Sequence, residues 1–243
     1  LSLLRLGELA QEAGLPEGAL NIVTGLGEEA GAALAAHPGV DFVSFTGSPE
    51  VGTLVQQAAA GHHAGCTLEL GGKSPQLLFA DADLDAALPA IVAAIVQNAG
   101  QTCSAGSRLL VEQGILEPVT ERLAQRFRAL RVGTHAMDLD LGPLISAIQL
   151  RRVQGFIARA RADGIRLLAA GRLEPDLPPG GHYCRPTLFG PVPAGHPLAQ
   201  EEVFGPVLAV IPFADEAEAV RLANGTPYGL VAAVWTSDGG RAL

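Results

Sequence analysis

Apolar positions along this chain keep two rhythms that alternate. Near the start, Leu3, Leu4, Leu6, Leu9, Ala10 and Ala13 recur at helical spacing, and Gly14 followed by Pro16 closes the run. That pattern predicts a helix over 1–13. Short apolar runs and further amphipathic stretches then predict a strand over 20–24, a helix over 28–36, a strand over 40–45 and a helix over 49–60. Strands over 66–70 and 75–80 and a helix over 84–97 follow. Beyond residue 100 the same reading gives a strand over 108–113, helices over 115–130 and 147–163, strands over 186–190 and 207–213, a helix over 215–223 and a strand over 230–236. Short, continuously apolar strands separated by helices are the pattern of a parallel sheet covered on both faces, so the expected fold class is α/β. Glycine and proline are scattered through turns such as 175-PDLPPGG-181, and no internal repeat stands out. The chain opens inside an amphipathic helix and stops just after a strand and a turn, which gives the expectation of a partial chain.

Composition narrows the classes of partner. With 48% apolar and 17% charged residues, the 243 residues suffice for one large or two modest domains with real cores. A net charge of -9 speaks against nucleic acid as the main partner, because phosphate binding needs clustered Lys and Arg. The longest apolar stretches, 86–96 and 207–214, fall short of the ~20 residues a bilayer requires, so no membrane span is expected. Cys66, Cys103 and Cys184 are odd in number and lack CxxC spacing, which suggests neither a disulfide framework nor a zinc site and fits a reducing, cytoplasmic setting. The adjacent pair His62 and His63 diverges on any regular element, so no metal is expected.

Several stretches depart from what a core or a solvated face would need. In 97-QNAGQTCSAGSR-108, Cys103 stands among Gln101, Thr102, Ser104 and Ser107, with Gly100 and Gly106 beside it. Free cysteine often behaves as a small buried hydrophobe, yet a thiol in such a loop is also within reach of a substrate. The 25-GLGEEAG-31 stretch is a near miss for a dinucleotide fingerprint and is equally a tight turn. At 44-SFTGSPEVG-52, Thr46, Gly47 and Ser48 stand at a strand-to-helix junction with Pro49 at the first helical position. Those residues serve a phosphate cradle or ordinary capping by Ser48. Glu69 interrupts 66-CTLELGG-72 at a strand's C-terminal end, where α/β proteins keep their sites. Partial burial there would raise its pKa toward the range useful to a general base, whereas a surface position would make it an ordinary solvated glutamate. Lys73, the only lysine beside fifteen arginines, reads as compositional bias. In 201-EEVFGPVL-208, Glu202 and Phe204 share a side if the chain is extended; a sugar-and-ring contact and a solvated-and-core pair remain equally open.

Taken together, 45-FTGSPEVG-52, 68-LELGGKSP-75, 98-NAGQTCSAGSR-108, 142-GPLIS-146 and 200-QEEVFGPV-207 resemble the NAD(P)-dependent aldehyde dehydrogenase superfamily, in that family's order and approximate spacing. The resemblance covers essentially the whole chain. It implies a partial Rossmann-type cofactor domain over 1–72, followed by an α/β catalytic domain over 73–243. Cys103 would then be the nucleophile and Glu69 the general base. Thr46, Gly47, Ser48, Gly52 and Leu70 would meet the cofactor, NAD or NADP, with Glu202 and Phe204 at its nicotinamide ribose and ring. The reaction implied is oxidation of an aldehyde to a carboxylic acid through a thioester on Cys103, in a full-length protein that is a homo-oligomer. The family's oxyanion-hole asparagine and its adenine-ribose residues have no counterpart in this sequence, so NAD and NADP are not distinguished. Two other readings share the fold: a member that passes the thioester to coenzyme A, and a non-catalytic binding module. Glu69 argues against the first, and the intact pair of Cys103 and Glu69 against the second.

Overall fold

A computed structural model describes residues 2–242. The chain divides into two compact units, Leu1–Leu70 and Gly71–Leu243.

In the first unit, α1 spans Ser2–Glu12 and a single helical turn at Gly27–Gly31 runs into α2, Ala32–Ala35. Strand β1, Phe42–Thr46, leads through a Ser48-capped turn into α3, Pro49–Ala60, and β2, Gly65–Glu69, pairs in parallel with β1. Ser48 caps α3 because its hydroxyl accepts from Val51 N–H at 3.4 Å, and Pro49 occupies a first-turn position whose missing N–H costs nothing. Residues 20–24, expected as a strand, form neither strand nor helix and are almost wholly exposed. Among the described residues of this unit only Ala35, Gly52 and Ala59 are buried.

The second unit carries the core. Its strands and helices run β3 Pro75–Leu78, α4 Leu84–Val96, β4 Arg108–Glu112, α5 Leu116–Ala129, β5 Arg131–Val132, α6 Ala147–Ala162, β6 Leu167–Ala170, β7 Arg172–Leu173 and β8 Thr187–Phe189. They continue with α7 Pro197–Gln200, β9 Val207–Phe213, α8 Glu216–Ala223, β10 Ala233–Trp235 and α9 Gly239–Ala242. Six strands make one sheet in the order β10-β3-β4-β9-β8-β6, parallel except for the last pair, and β5 with β7 forms a small separate ladder. The central strands are buried along their length, as a sheet covered on both faces requires, so they read in sequence as unbroken apolar runs. Helix α4 begins at Asp83, whose carboxylate accepts from Asp85 and Ala86 N–H, and it buries Leu88, Ile91, Val92 and Ile95. Helix α5 packs on β4, β6 and β8, and α8 on β3, β4 and β9. Strand β6, which the sequence did not suggest, is the antiparallel edge, and two of its four residues are half-buried. No described helix is long and apolar enough to cross a membrane.

This topology sets three loops side by side. Strands β3, β4 and β9 are adjacent and parallel, and each is entered from a candidate stretch: 71–74, 97–107 and 200–206. The loops therefore meet at the N-terminal ends of these strands, not at the carboxyl ends where open α/β sheets commonly bind ligands.

Candidate active site

Cys103 lies half-buried in a turn whose path is set by an unusual backbone. Asn98, Ala99 and Gly100 are all left-handed, with φ of 51°, 54° and 72°. Two of the three carry side chains, a conformation that costs on the order of 1 kcal/mol or more per residue and persists only where the surroundings over-determine it. Those surroundings are visible. Asn98 Nδ2 donates to the Gln101 carbonyl at 2.9 Å, and Gln101 Nε2 returns a bond to the Asn98 carbonyl at 3.1 Å. Gln101 Oε1 accepts from Ile145 N–H at 2.9 Å, which ties the cysteine loop to the 142-GPLIS-146 stretch.

Glycines then let the three loops close up. A Cβ on Gly72 would collide with the Cys103 carbonyl oxygen, and one on Gly100 with the main chain of Gly205. A Cβ on Gly71 would occupy the place of the Glu202 carboxylate, from which the Gly72 N–H takes its acceptor Oε1 at 3.2 Å. The space left among Gly72, Gly100, Thr102 and Glu202 is a void of about 10 Å³, so the seam between the loops is packed.

Helix α6 holds the third loop from one face. Gln149 Nε2 donates to the carbonyls of Val203 at 3.2 Å and Phe204 at 2.7 Å, while Arg152 donates to the Glu202 carbonyl at 2.7 Å. Positions 149, 152 and 153 share a helix face, and Val153 packs where a Cβ on Gly205 would stand. Phe204 is itself left-handed, with φ of 55°, and half-buried. Glu202 and Phe204 are thus not partners on an extended segment, as the two-residue spacing suggested; the turn at Phe204 separates their directions.

Behind the loops sits a cationic pair. Arg108 is 2% exposed and donates from Nε to the Lys73 carbonyl at 2.7 Å and from its two terminal nitrogens to the carbonyls of Leu222 at 2.8 Å and Ala223 at 2.7 Å. Burial lowers its pKa to about 10. Lys73 is also 2% exposed, and burial, with Arg108 as the second cause, lowers its pKa to about 7 against the opposing pull of Glu202 and Glu201. Sequence reasoning passed over this lysine. The available signal was its place directly before 75-PQLLF-79, where no residue has access to water.

The remaining candidates belong to the first unit. Thr46 pairs with Glu69 in the β1–β2 register, and Gly47 N–H donates to the Glu69 carbonyl at 3.0 Å. The turn Thr46, Gly47, Ser48 therefore lies beside the end of β2. Gly52 is buried under Leu70, whose Cδ2 stands where a Cβ would be. The Glu69 side chain is exposed within its unit, so the burial expected for a tuned base is not found there. Among the described residues no group of three or more His, Cys, Asp or Glu side chains is placed to hold a metal ion.

Comparison with known proteins agrees with this arrangement. A family model described as "Aldehyde dehydrogenase family" matches residues 1–243. A dehydrogenase of (Z)-2-((N-methylformamido)methylene)-5-hydroxybutyrolactone from Acinetobacter baylyi is 42% identical over 99% of this chain and 49% of its own length. A crystal structure of a candidate aldehyde dehydrogenase from Burkholderia cenocepacia superposes with a TM-score of 0.98 at 64% identity, covering 99% of this chain and 51% of that one. The betaine aldehyde dehydrogenase of Staphylococcus aureus, solved in complex with NAD+, superposes with a TM-score of 0.94 at 36% identity over 100% of this chain and 48% of that one. The chain spans about half the length of these relatives.

Proposed function

The chain belongs to the aldehyde dehydrogenase family, and on that footing we propose that, as part of a protein of its relatives' length, it oxidises an aldehyde to a carboxylic acid with NAD+ or NADP+. The observation that carries this reading is the seam around Cys103. A strained loop, locked by Gln101 and by close glycine contacts at Gly72 and Gly100, presents one half-buried thiol among polar neighbours.

The residues fit the cofactor. The Thr46, Gly47, Ser48 turn at the start of α3 can take the pyrophosphate, since the first N–H groups of a helix lack intrahelical partners and favour an anion. Gly52 and Leu70 keep that turn close to β2. Glu202, with Oε1 on the Gly72 N–H, keeps a second carboxylate oxygen able to accept from a ribose hydroxyl, and Phe204 offers an aromatic surface for the nicotinamide ring. When bound, NAD(P)+ supplies the acceptor for the hydride that leaves the aldehyde carbon.

The chain's own residues perform the rest. Cys103 as thiolate attacks the aldehyde carbon, because the thiolate and not the thiol is the nucleophile. Its main-chain N–H is suited to steady the oxyanion that forms. Once the hydride has left, Cys103 carries the acyl group as a thioester. Glu69 takes a proton from water, the hydroxide oxygen adds to the thioester carbon, and the carbon–sulfur bond breaks to release carboxylic acid and regenerate the thiolate. Replacing Glu69→Gln in the full-length protein should preserve one burst of reduced cofactor per site while slowing steady turnover ~10²-fold or more. Stopped-flow absorbance of the reduced cofactor measures both phases. Turnover at the parental rate in this variant, without coenzyme A, would show that Glu69 is not the base.

A further inference from the structure

Lys73 is the least easily explained residue in the second unit. It is the chain's only lysine, is 2% exposed, and its Nζ is buried without a hydrogen-bond partner. An ammonium in that condition is unfavourable unless nearby charge compensates it. Arg108 on β4 cannot supply that compensation, being itself a cation with its donors on three main-chain carbonyls. Ser74, Asn224 and Tyr228 line a cavity of about 300 Å³ beside it, and none of them is a carboxylate. The groups that favour its charged form are Glu202 and then Glu201, both in the loop before β9.

The main chain places Glu202 close by. Its Oε1 accepts from the Gly72 N–H at 3.2 Å, its carboxylate fills the space beside Gly71, and Lys73 is the next residue along. Glu202 is also anchored at its carbonyl by Arg152, so its side chain is free to turn about a fixed point. Resting on the reading of Glu202 as the ribose ligand, we propose that Lys73 is a positioning residue for cofactor binding. From its buried place one residue beyond Gly72, its positive charge holds the Glu202 carboxylate with one oxygen on Gly72 and the other presented to the ribose. The action is through the field, with no hydrogen bond required, and it operates only while Lys73 is protonated.

The lysine pKa, lowered by burial to about 7, makes the effect visible near neutrality. Lys73 is cationic below that value and neutral above it, so preorganisation of Glu202 fades as pH rises. In the full-length protein the KM for NAD(P)+ should rise several-fold between about pH 6 and about pH 8.5, with a smaller change in kcat, as expected for loss of uniform binding. Lys73→Met should have the high KM throughout and no such slope, and Lys73→Arg, which stays protonated, should keep the low KM across the range. If Lys73→Met fails to fold, Lys73→Gln takes its place. A parental slope retained in either neutral variant, or a flat cofactor affinity in the parent, overturns the proposal. Glu202→Gln is measured alongside. If that variant leaves the cofactor KM unchanged, the ribose reading itself falls and this inference with it; if it raises KM while the neutral lysine variants behave as the parent, only the role of Lys73 falls.

Discussion

Cys103 and Cys184 place the same side chain in two media. Cys184 is 8% exposed, and burial pushes its thiol up to about 11. At neutral pH roughly one such thiol in 10⁴ is ionised, which should make it react on the order of 10²-fold more slowly than an ordinary free thiol. Brief alkylation with iodoacetamide followed by peptide mapping should therefore mark Cys103, half-buried in an open turn, well before Cys184. Equal labelling in the folded protein would contradict the burial of Cys184. The sequence made the contrast partly legible: small polar neighbours at Cys103 signalled a loop. Glu69 was less legible, since a strand end does not reveal whether its side chain is covered, and it is exposed. Lys73 was illegible from composition, because rarity says nothing of burial.

Arg108 joins elements that lie far apart in sequence. Its three bonds secure the residue before β3 and the last two residues of α8, where unpaired carbonyls and the negative end of the helix dipole favour a cation. Replacing Arg108→Met would keep most of the volume but leave three buried carbonyls without donors. The expected loss is ~3 kcal/mol or more, read from urea unfolding as a lower midpoint. A midpoint within experimental error of the parent's would show that water or a shift of α8 satisfies those carbonyls. At this scale, helices with a cap and a sustained period were legible: α3 with Ser48 and Pro49, α4 with Asp83. Residues 20–24 were misread because an apolar run becomes a strand only when another strand pairs with it, and none of the described residues does. Strand β6 was missed for the opposite reason, its sequence being unremarkable and its pairing with β8 decisive.

The two units differ most in what they bury. The first has a two-stranded sheet, an α1 with no buried residue, and large apolar side chains such as Leu3, Leu6, Val23, Leu26, Leu34, Phe42 and Leu54 exposed. The second encloses Leu88, Ile91, Leu109, Leu123, Phe127, Phe189 and Phe213. Local stability follows buried apolar surface, so amide hydrogen exchange on residues 1–243 expressed alone should be fast throughout 2–70 and slow in β3, β4 and β9. The same polypeptide should scatter light at modest concentration and reduce little cofactor with any aldehyde. Protection of β1 and β2 equal to that of β4 would refute the first expectation, and a monodisperse active product the second. The glycine seam also bears on descent. At Gly72 and Gly100 the neighbour is main chain, which cannot swing aside as a side chain can, so no gradual series of larger residues leads away from either position. A lineage adapting to new aldehydes would have to vary elsewhere. In a saturation library selected for turnover, these two sites should stay fixed while exposed positions on α5 and α8 drift.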